Sequence, residues 1–373
     1  MKNILIISFS DLKSDPRVYR QIMFLKDKFK ITTIGYKDPE IEGVEFLQVV
    51  PKNSFFDKIY SAWILTSRNF EKYYWFRYDF SEVLNKLRNR KFDLIIANDV
   101  DSLPFAFKIK GDAKILFDAH EYSPKEFEDS FKWRFFFQKY KIYLCNKYIN
   151  KVDCMITVCD GIAKEYEKNF GVKPTVVTNA PFYEDLKPSN VDENKIKIIH
   201  HGGAIKARNI EKMIDLADYL DDRFTLYFML VPTDPNYYEY LKKYAEKKNI
   251  VFLEPVKMQD ISKKLNDFDI GVYILNPNGF NNLNALPNKL FEFIQARLML
   301  AIGPSPEMAK IVKEYDLGIV SDDFEPKTLA NKINRLKKED IIYYKNNSHI
   351  AAKELCAEKN KEILISLIEE LLT

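Results

Sequence analysis

Three groups of residues in this chain have the types and spacing to do chemistry. The first is Leu286-Pro287-Asn288-Lys289-Leu290-Phe291-Glu292. A proline and an asparagine ahead of an apolar pattern at helical spacing mark a helix start. The N–H groups there, with the positive end of the helix, form an anion site. Glu292, further along, carries a carboxylate that accepts two hydrogen bonds from a vicinal diol such as a ribose. The plain alternative is an asparagine-capped helix with an acidic residue in its first turn. Lys289 fits that alternative poorly, because a cation at this end of a helix is unfavourable until an anion arrives.

The second group is His200-His201-Gly202-Gly203-Ala204-Ile205-Lys206-Ala207-Arg208, between an apolar run and an amphipathic stretch. Paired glycines let a phosphate approach the backbone, and Lys206 or Arg208 neutralises it. The spacing is neither the GxGxxG of dinucleotide enzymes nor a Walker loop, which argues against NAD and against ATP hydrolysis. The third group, Asp118-Ala119-His120-Glu121, closes an apolar run. A lone histidine is more often structural than catalytic, but the flanking carboxylates and the strand-end position narrow those odds. Asn98-Asp99-Val100-Asp101 closes another run, so Asp99, Asp101 and Glu121 are candidates to meet an acceptor. Asp15 and Arg17, in Ser14-Asp15-Pro16-Arg17, are candidates too, although an Asp-Pro-Arg helix start needs no ligand.

The elements that must position these groups follow from the apolar pattern. Short runs at Ile4–Ser8, Ile31–Ile34, Leu94–Ala97, Lys114–Asp118 and Met155–Val158 read as buried parallel strands separated by helices. A polar segment from Thr178 to Lys195 reads as a linker. The rhythm restarts at Ile196–His200 and continues through Phe224–Phe228, Val251–Leu253, Ile270–Ile274, Met299–Ile302 and Gly318–Val320. Helices are expected over Ile210–Leu220 and Leu290–Arg297, with one closing helix over 351–372. The reading is an α/β chain with two doubly wound domains, 1–185 and 186–350, and a C-terminal helix, 351–373. Two such domains suggest a ligand cleft between them, on the carboxyl side of each sheet.

Composition agrees. Of 373 residues, 46% are hydrophobic and 30% charged, a globular balance. A net charge of +3 gives no strong attraction to nucleic acid. Four cysteines without CxxC spacing argue against a disulfide scaffold or a structural zinc site. The first apolar run is short for a signal peptide and no run approaches the roughly 18 residues of a membrane span, so a cytoplasmic location is expected.

The order of these motifs resembles a known family. Ser14–Arg20, Asp118–Glu121, Val158-Cys159-Asp160-Gly161-Ile162, Thr178-Asn179-Ala180-Pro181, the glycine turn and Leu286–Glu292 together look like a bacterial glycosyltransferase of family 4 with the GT-B fold. The resemblance spans nearly the whole chain. It implies a retaining, metal-independent enzyme that needs no cofactor beyond its nucleoside-diphosphate-sugar donor. It places His120 near the donor sugar, Arg208 on the diphosphate and Glu292 on the ribose. It sets the turn Pro287, Asn288, Lys289 and Leu290 against the phosphates, with Gly202, Gly203 and Lys206 nearby and Val256 where the family contacts the base. Asn284 stands where the family often has a first glutamate, and Ala296-Arg297-Leu298-Met299 replaces a usual Ala-Gly-Leu-Pro.

Two aromatic stretches, 52–91 and 125–151, interleave rings with cations. They suit a peripheral membrane contact near a glycan or lipid-linked acceptor, or else they pack the core. Single-stranded nucleic acid is disfavoured by the low net charge. A sugar-nucleotide epimerase on the same architecture, or a catalytically idle binding subunit, remain the alternatives to glycosyl transfer.

Overall fold

The computed structural model describes all residues from Met1 to Thr373. The chain forms two compact units. One is Met1–Thr178 with Gly279–Asn281 and Asn360–Thr373; the other is Asn179–Asn278 with Asn282–Lys359.

The first unit is built on β1 (Asn3–Ile7), β2 (Lys30–Gly35), β3 (Glu45–Gln48), the short pair β4 (Val50–Pro51) and β5 (Tyr78–Asp79), then β6 (Leu94–Asn98), β7 (Lys114–Ala119), β8 (Cys154–Thr157) and β9 (Thr175–Val176). Seven of these form one sheet in the order β3-β2-β1-β6-β7-β8-β9, while β4 and β5 pair as a separate antiparallel ribbon. Ile4 to Ile7 and Leu94 to Ala97 are fully buried, which is why both runs are apolar without alternation. The chain steps outward from β1 to β3, then returns to the other side of β1 as β6. That reversal opens a crevice beyond the carboxyl ends of β1 and β6, where Ser8, Ser10, Asn98 and Asp99 stand.

The second unit repeats the plan with β10 (Ile196–Gly203), β11 (Phe224–Val231), β12 (Ile250–Leu253), β13 (Ile270–Tyr273), β14 (Met299–Ile302) and β15 (Gly318–Val320), in the parallel order β12-β11-β10-β13-β14-β15. Its reversal lies between β10 and β13. The ends of those strands are the glycine turn and Tyr273.

Every strand expected from the sequence is present. Four more were not expected: β4 and β5 form the separate ribbon, and β3 and β9 are sheet edges. Only Leu47 is buried in β3, and β9 spans two residues, so neither carries an apolar run to read. The closing helix expected over 351–372 is present but starts at Ala357, and a separate helix, Lys338–Ala351, ends where it was expected to begin. The break has a cause: Gln295 Nε2 donates to Ala352 O (2.7 Å) and Leu355 O (3.1 Å), taking carbonyls that a continuous helix would use. Asn360–Thr373 then belongs to the first unit, where Asn360 bonds Thr178 and Glu369 pairs with Lys28.

The polar segment after Thr178 is packed, not a free linker. Fully buried Arg297 donates from Nη2 to Glu184 O and from Nε to Leu186 O (3.2 Å), and buried Lys345 reaches Ser189 Oγ (2.8 Å). Arg297 sits at φ +62°, a left-handed conformation that glycine adopts more readily at a helix end. Its guanidinium contacts offset that strain, which accounts for an arginine replacing the family's usual glycine.

Candidate active site

In the second unit, β10 carries His200 and His201 to Gly202, near the strand's end, whose φ of +129° suits glycine alone. A Cβ there would lie 3.4 Å from Lys289 Nζ and 3.6 Å from Arg208 Nη1. Two cations 81 positions apart in sequence therefore converge on one stretch of backbone. Arg208 arrives on the turn Lys206–Arg208 and Lys289 as the second residue of the helix Asn288–Gln295. That helix corrects the capping alternative. Pro287 holds the cap position, no side chain caps it, and Asn288 lies inside as the first residue.

Lys289 is buried, with Nζ 3.9 Å from the Tyr273 ring centroid and 3.2 Å from His200 Nε2. His200 Nδ1 lies 3.1 Å from Val272 O and donates to it, so Nε2 presents its lone pair to the lysine. Burial, then the charge of Arg208, holds Lys289 well below the usual lysine pKa. Burial, then Lys289, does the same to His200 and His201 relative to ordinary histidine. His201 is thus neutral, and its Nε2, 3.3 Å from Glu292 Oε2, makes a polar contact without hydrogen-bond alignment. The structure brings together Gly202, Arg208, Lys289 and, through His201, Glu292. Gly203 and Lys206 follow Gly202 in the chain and Leu290 lies in the first turn of the helix, while Val256 is on the loop after β12 and Asn284 on the loop before the helix. From sequence, His200 carried no role of its own within the glycine group and Tyr273 carried none; their signal was a place at a strand end.

In the first unit, Arg17 and Asp118 prove to be one buried pair. Arg17 Nε and Nη2 meet the carboxylate at 2.7–3.0 Å, and Nη1 donates to Val177 O at 2.8 Å. Arg17 is thereby corrected from an acceptor contact to an interior anchor, 6% exposed. Asp15 caps its helix, accepting from Val18 N and from Ser10 Oγ. The carboxylate of Asp118 fixes the polarity of everything beyond it. Gln21 Nε2 donates to Asp118 (3.1 Å), so Gln21 Oε1 accepts from Asn98 Nδ2 (3.0 Å), so Asn98 Oδ1 accepts from His120 Nε2 (3.1 Å). His120 therefore keeps its proton on Nε2 and has a lone pair on Nδ1, 3.4 Å from Asp99 Oδ2. A proton taken at Nδ1 is stabilised by Asp99, which is the disposition of a general base.

Asp99, Asp101 and Glu121 share a cavity of about 330 Å³ with Glu126, Lys141, Arg77 and several aromatic rings. Burial alone would raise Asp101, but Lys141 (2.6 Å) and Arg77 (3.2 Å) outweigh it and hold it ionised. Glu121 is pushed well above the usual carboxylate range by burial and by the charge of Glu126.

The aromatic stretches divide. Tyr73, Tyr74, Tyr78, Phe80 and Tyr140 are core. Phe55 (72% exposed), Phe56 (79%), Ile59, Trp63, Phe131 (74%) and Phe135 face solvent, beside exposed Lys132, Arg134 and Lys139. No helix is long and apolar enough to cross a membrane.

Residues 35–181 match the model of Glycosyltransferase Family 4. No curated protein matches by sequence. Among solved structures, sucrose-phosphate synthase from Thermosynechococcus elongatus is similar, with TM-score 0.74 at 12% identity over 100% of this chain and 99% of that one. Anabaena HepE, solved with UDP and glucose, gives 0.69 at 13% identity over 99% and 100%. WaaG, a glycosyltransferase involved in lipopolysaccharide biosynthesis, gives 0.64 at 14% identity over 96% and 99%. These likenesses are of fold, and the family match lies in the first unit. Residues 35–181 thus carry the family 4 glycosyltransferase model, and the two Rossmann-like units agree with the GT-B pattern of the similar structures.

Proposed function

We propose that this glycosyltransferase uses a nucleoside-diphosphate sugar and transfers the sugar, with retention, to a glycan or lipid-linked acceptor in surface-polysaccharide or glycoconjugate synthesis. The observation that carries this is the convergence of Lys289 and Arg208 over Gly202 at the end of β10, next to an uncapped helix start. Two cations brought together at a cost in burial make sense when a diphosphate neutralises both. As the bond from the sugar C1 to phosphate oxygen breaks, the departing diphosphate gains charge. Arg208, Lys289 and the helix N-terminus stabilise it with no metal required. The acceptor oxygen bonds C1 on the same face, and its proton passes to His120 Nδ1. Glu292 holds the ribose hydroxyls. HepE's structure with UDP and glucose supports a uridine donor as the first to try.

The test is incubation with a panel of UDP- and GDP-sugars, following nucleotide release and sugar identity. Acceptor-dependent release is expected. A changed sugar on an intact donor means epimerisation, and binding without turnover means an idle binder. Glu292→Ala is expected to weaken donor binding about tenfold or more, the loss of a charged hydrogen-bond acceptor; unchanged affinity removes Glu292 from the site.

The exposed rings and cations of the first unit support work at the cytoplasmic face of a membrane. Wild-type protein should sediment with vesicles containing phosphatidylglycerol and much less with phosphatidylcholine alone. Phe56→Ser with Trp63→Ser should abolish this. A soluble, vesicle-indifferent wild type ends the membrane reading.

A further inference from the structure

The cavity at the β1/β6 switch point has contents that specify a class of occupant. At about 330 Å³ it is near the lower limit of ligand pockets, which run roughly 300–1,000 Å³, and suits a single sugar ring. The first loop puts Phe9 in the wall of this cavity, and its ring packs on Tyr78 at 4.5 Å. These rings, with Tyr36, Trp133 and Phe137, offer flat apolar walls for the C–H faces of a sugar.

The polar lining is unbalanced. Four carboxyl groups, Asp99, Asp101, Glu121 and Glu126, face two cations, Lys141 and Arg77. Both cations are already committed. Lys141 Nζ lies 2.6 Å from Asp101 and 2.5 Å from Glu126, and Arg77 Nη1 lies 3.2 Å from Asp101. The carboxyls without a cation partner are Asp99, which also accepts from His120 N (3.2 Å), and Glu121, and the rest of the polar lining is the neutral Ser8, Ser10, Asn98 and Ser123. Burial beside Glu126 favours a proton held within the Glu121–Glu126 pair, which adds one donor. Such a lining binds hydroxyls, or an ammonium group, and opposes a phosphate or carboxylate.

We infer that this cavity is the acceptor subsite, and that it selects an uncharged or amine-bearing sugar end and rejects a phosphorylated one. The inference rests on the transferase reading for its purpose, but not for its test. Saturation-transfer NMR without any donor reads the cavity directly. The probes are the methyl glycosides of glucose, galactose and mannose, methyl glucosaminide, and glucose 6-phosphate. At least one uncharged glycoside should receive saturation from the wild-type protein, with glucosaminide at least as strong. Glucose 6-phosphate should bind at least about tenfold more weakly, because juxtaposed like charges oppose it. Trp133→Leu should weaken the uncharged probes. Asp99→Asn with Glu121→Gln should narrow the preference against phosphate, a change that mere loss of packing does not produce.

No binding by any uncharged glycoside, or glucose 6-phosphate binding as well as they do, overturns the inference. Calorimetry with UDP and GDP separates this from the reading beneath it. Absent nucleotide binding with the glycoside pattern intact overturns the transferase proposal alone. Efficient transfer to a phosphorylated acceptor overturns this inference alone.

Discussion

Lys289→Met should yield a protein that is more stable when empty and unable to hold its nucleotide. Lys289 is enclosed by Tyr273, His200 and Gly202, with Arg208 as a like-charged neighbour. Burial and that neighbour push its pKa well below 10.5, so the free protein sustains the cost of keeping an amine there. Methionine has similar length and no charge to desolvate. Stabilisation on the order of 1–3 kcal/mol is expected, the range found when buried charges give way to apolar groups. Differential scanning fluorimetry would show it as a Tm rise of a few degrees. Nucleotide binding should move the other way. Losing an enclosed cation from a diphosphate costs about 100-fold in Kd or more. A trade of stability for function is the usual signature of a binding residue. An unchanged Kd for both UDP and GDP would falsify the phosphate assignment, and a lowered Tm would contradict the burial argument.

The same residue makes donor binding proton-linked. In the free protein, Lys289 is neutral above its depressed pKa; a bound diphosphate favours the charged form and raises it. Between those two values the complex carries one more proton than its parts. Affinity should therefore fall as pH rises through that window, and calorimetry in buffers of different ionisation enthalpy should report proton uptake. Lys289→Met should remove that uptake.

His120→Ala should lower turnover by about 100-fold or more while leaving nucleotide affinity within twofold of wild type, the range for loss of a general acid or base. Nδ1 is the free position because Arg17, Asp118, Gln21 and Asn98 dictate the polarity of the chain that ends at Nε2. Asp99→Asn should lower turnover less, since the base remains and only the charge that stabilises its protonated form is lost. Gln21→Leu leaves Asn98 free to turn its amide, and should reduce turnover with little effect on nucleotide binding. Full activity in His120→Ala would leave the histidine a structural role only.

Much of the architecture could be read from the chain. Doubly buried parallel strands carry uninterrupted apolar runs, so Ile4–Ile7, Leu94–Ala97 and Ile196–Ile199 declare themselves by composition. The half-exposed edge β3 and the two-residue β9 do not, because pairing at an edge leaves little apolar trace. The glycine turn and the Pro287 helix start were likewise legible, since each needs a residue type for a backbone reason that is local.

What the chain could not disclose was partnership. Arg17 carried the marks of a ligand contact as a conspicuous arginine at a helix start, yet it spends its donors on Asp118, 101 positions away, and on Val177 O. The closing helix starts later than its apolar spacing suggests because Gln295, a side chain on another element, takes the carbonyls of Ala352 and Leu355. Lys289 read as awkward for its helix and, by resemblance, as a phosphate contact; its meeting with His200, 89 positions away, and with Tyr273 and Arg208 depends on how β10 and β13 lie side by side. The sequence by itself determined the central strands and the residue types at their ends, because those follow from local geometry and burial on both faces. Only the tertiary structure decided which cations converge and which are spent, because burial and pairing are properties of neighbours in space.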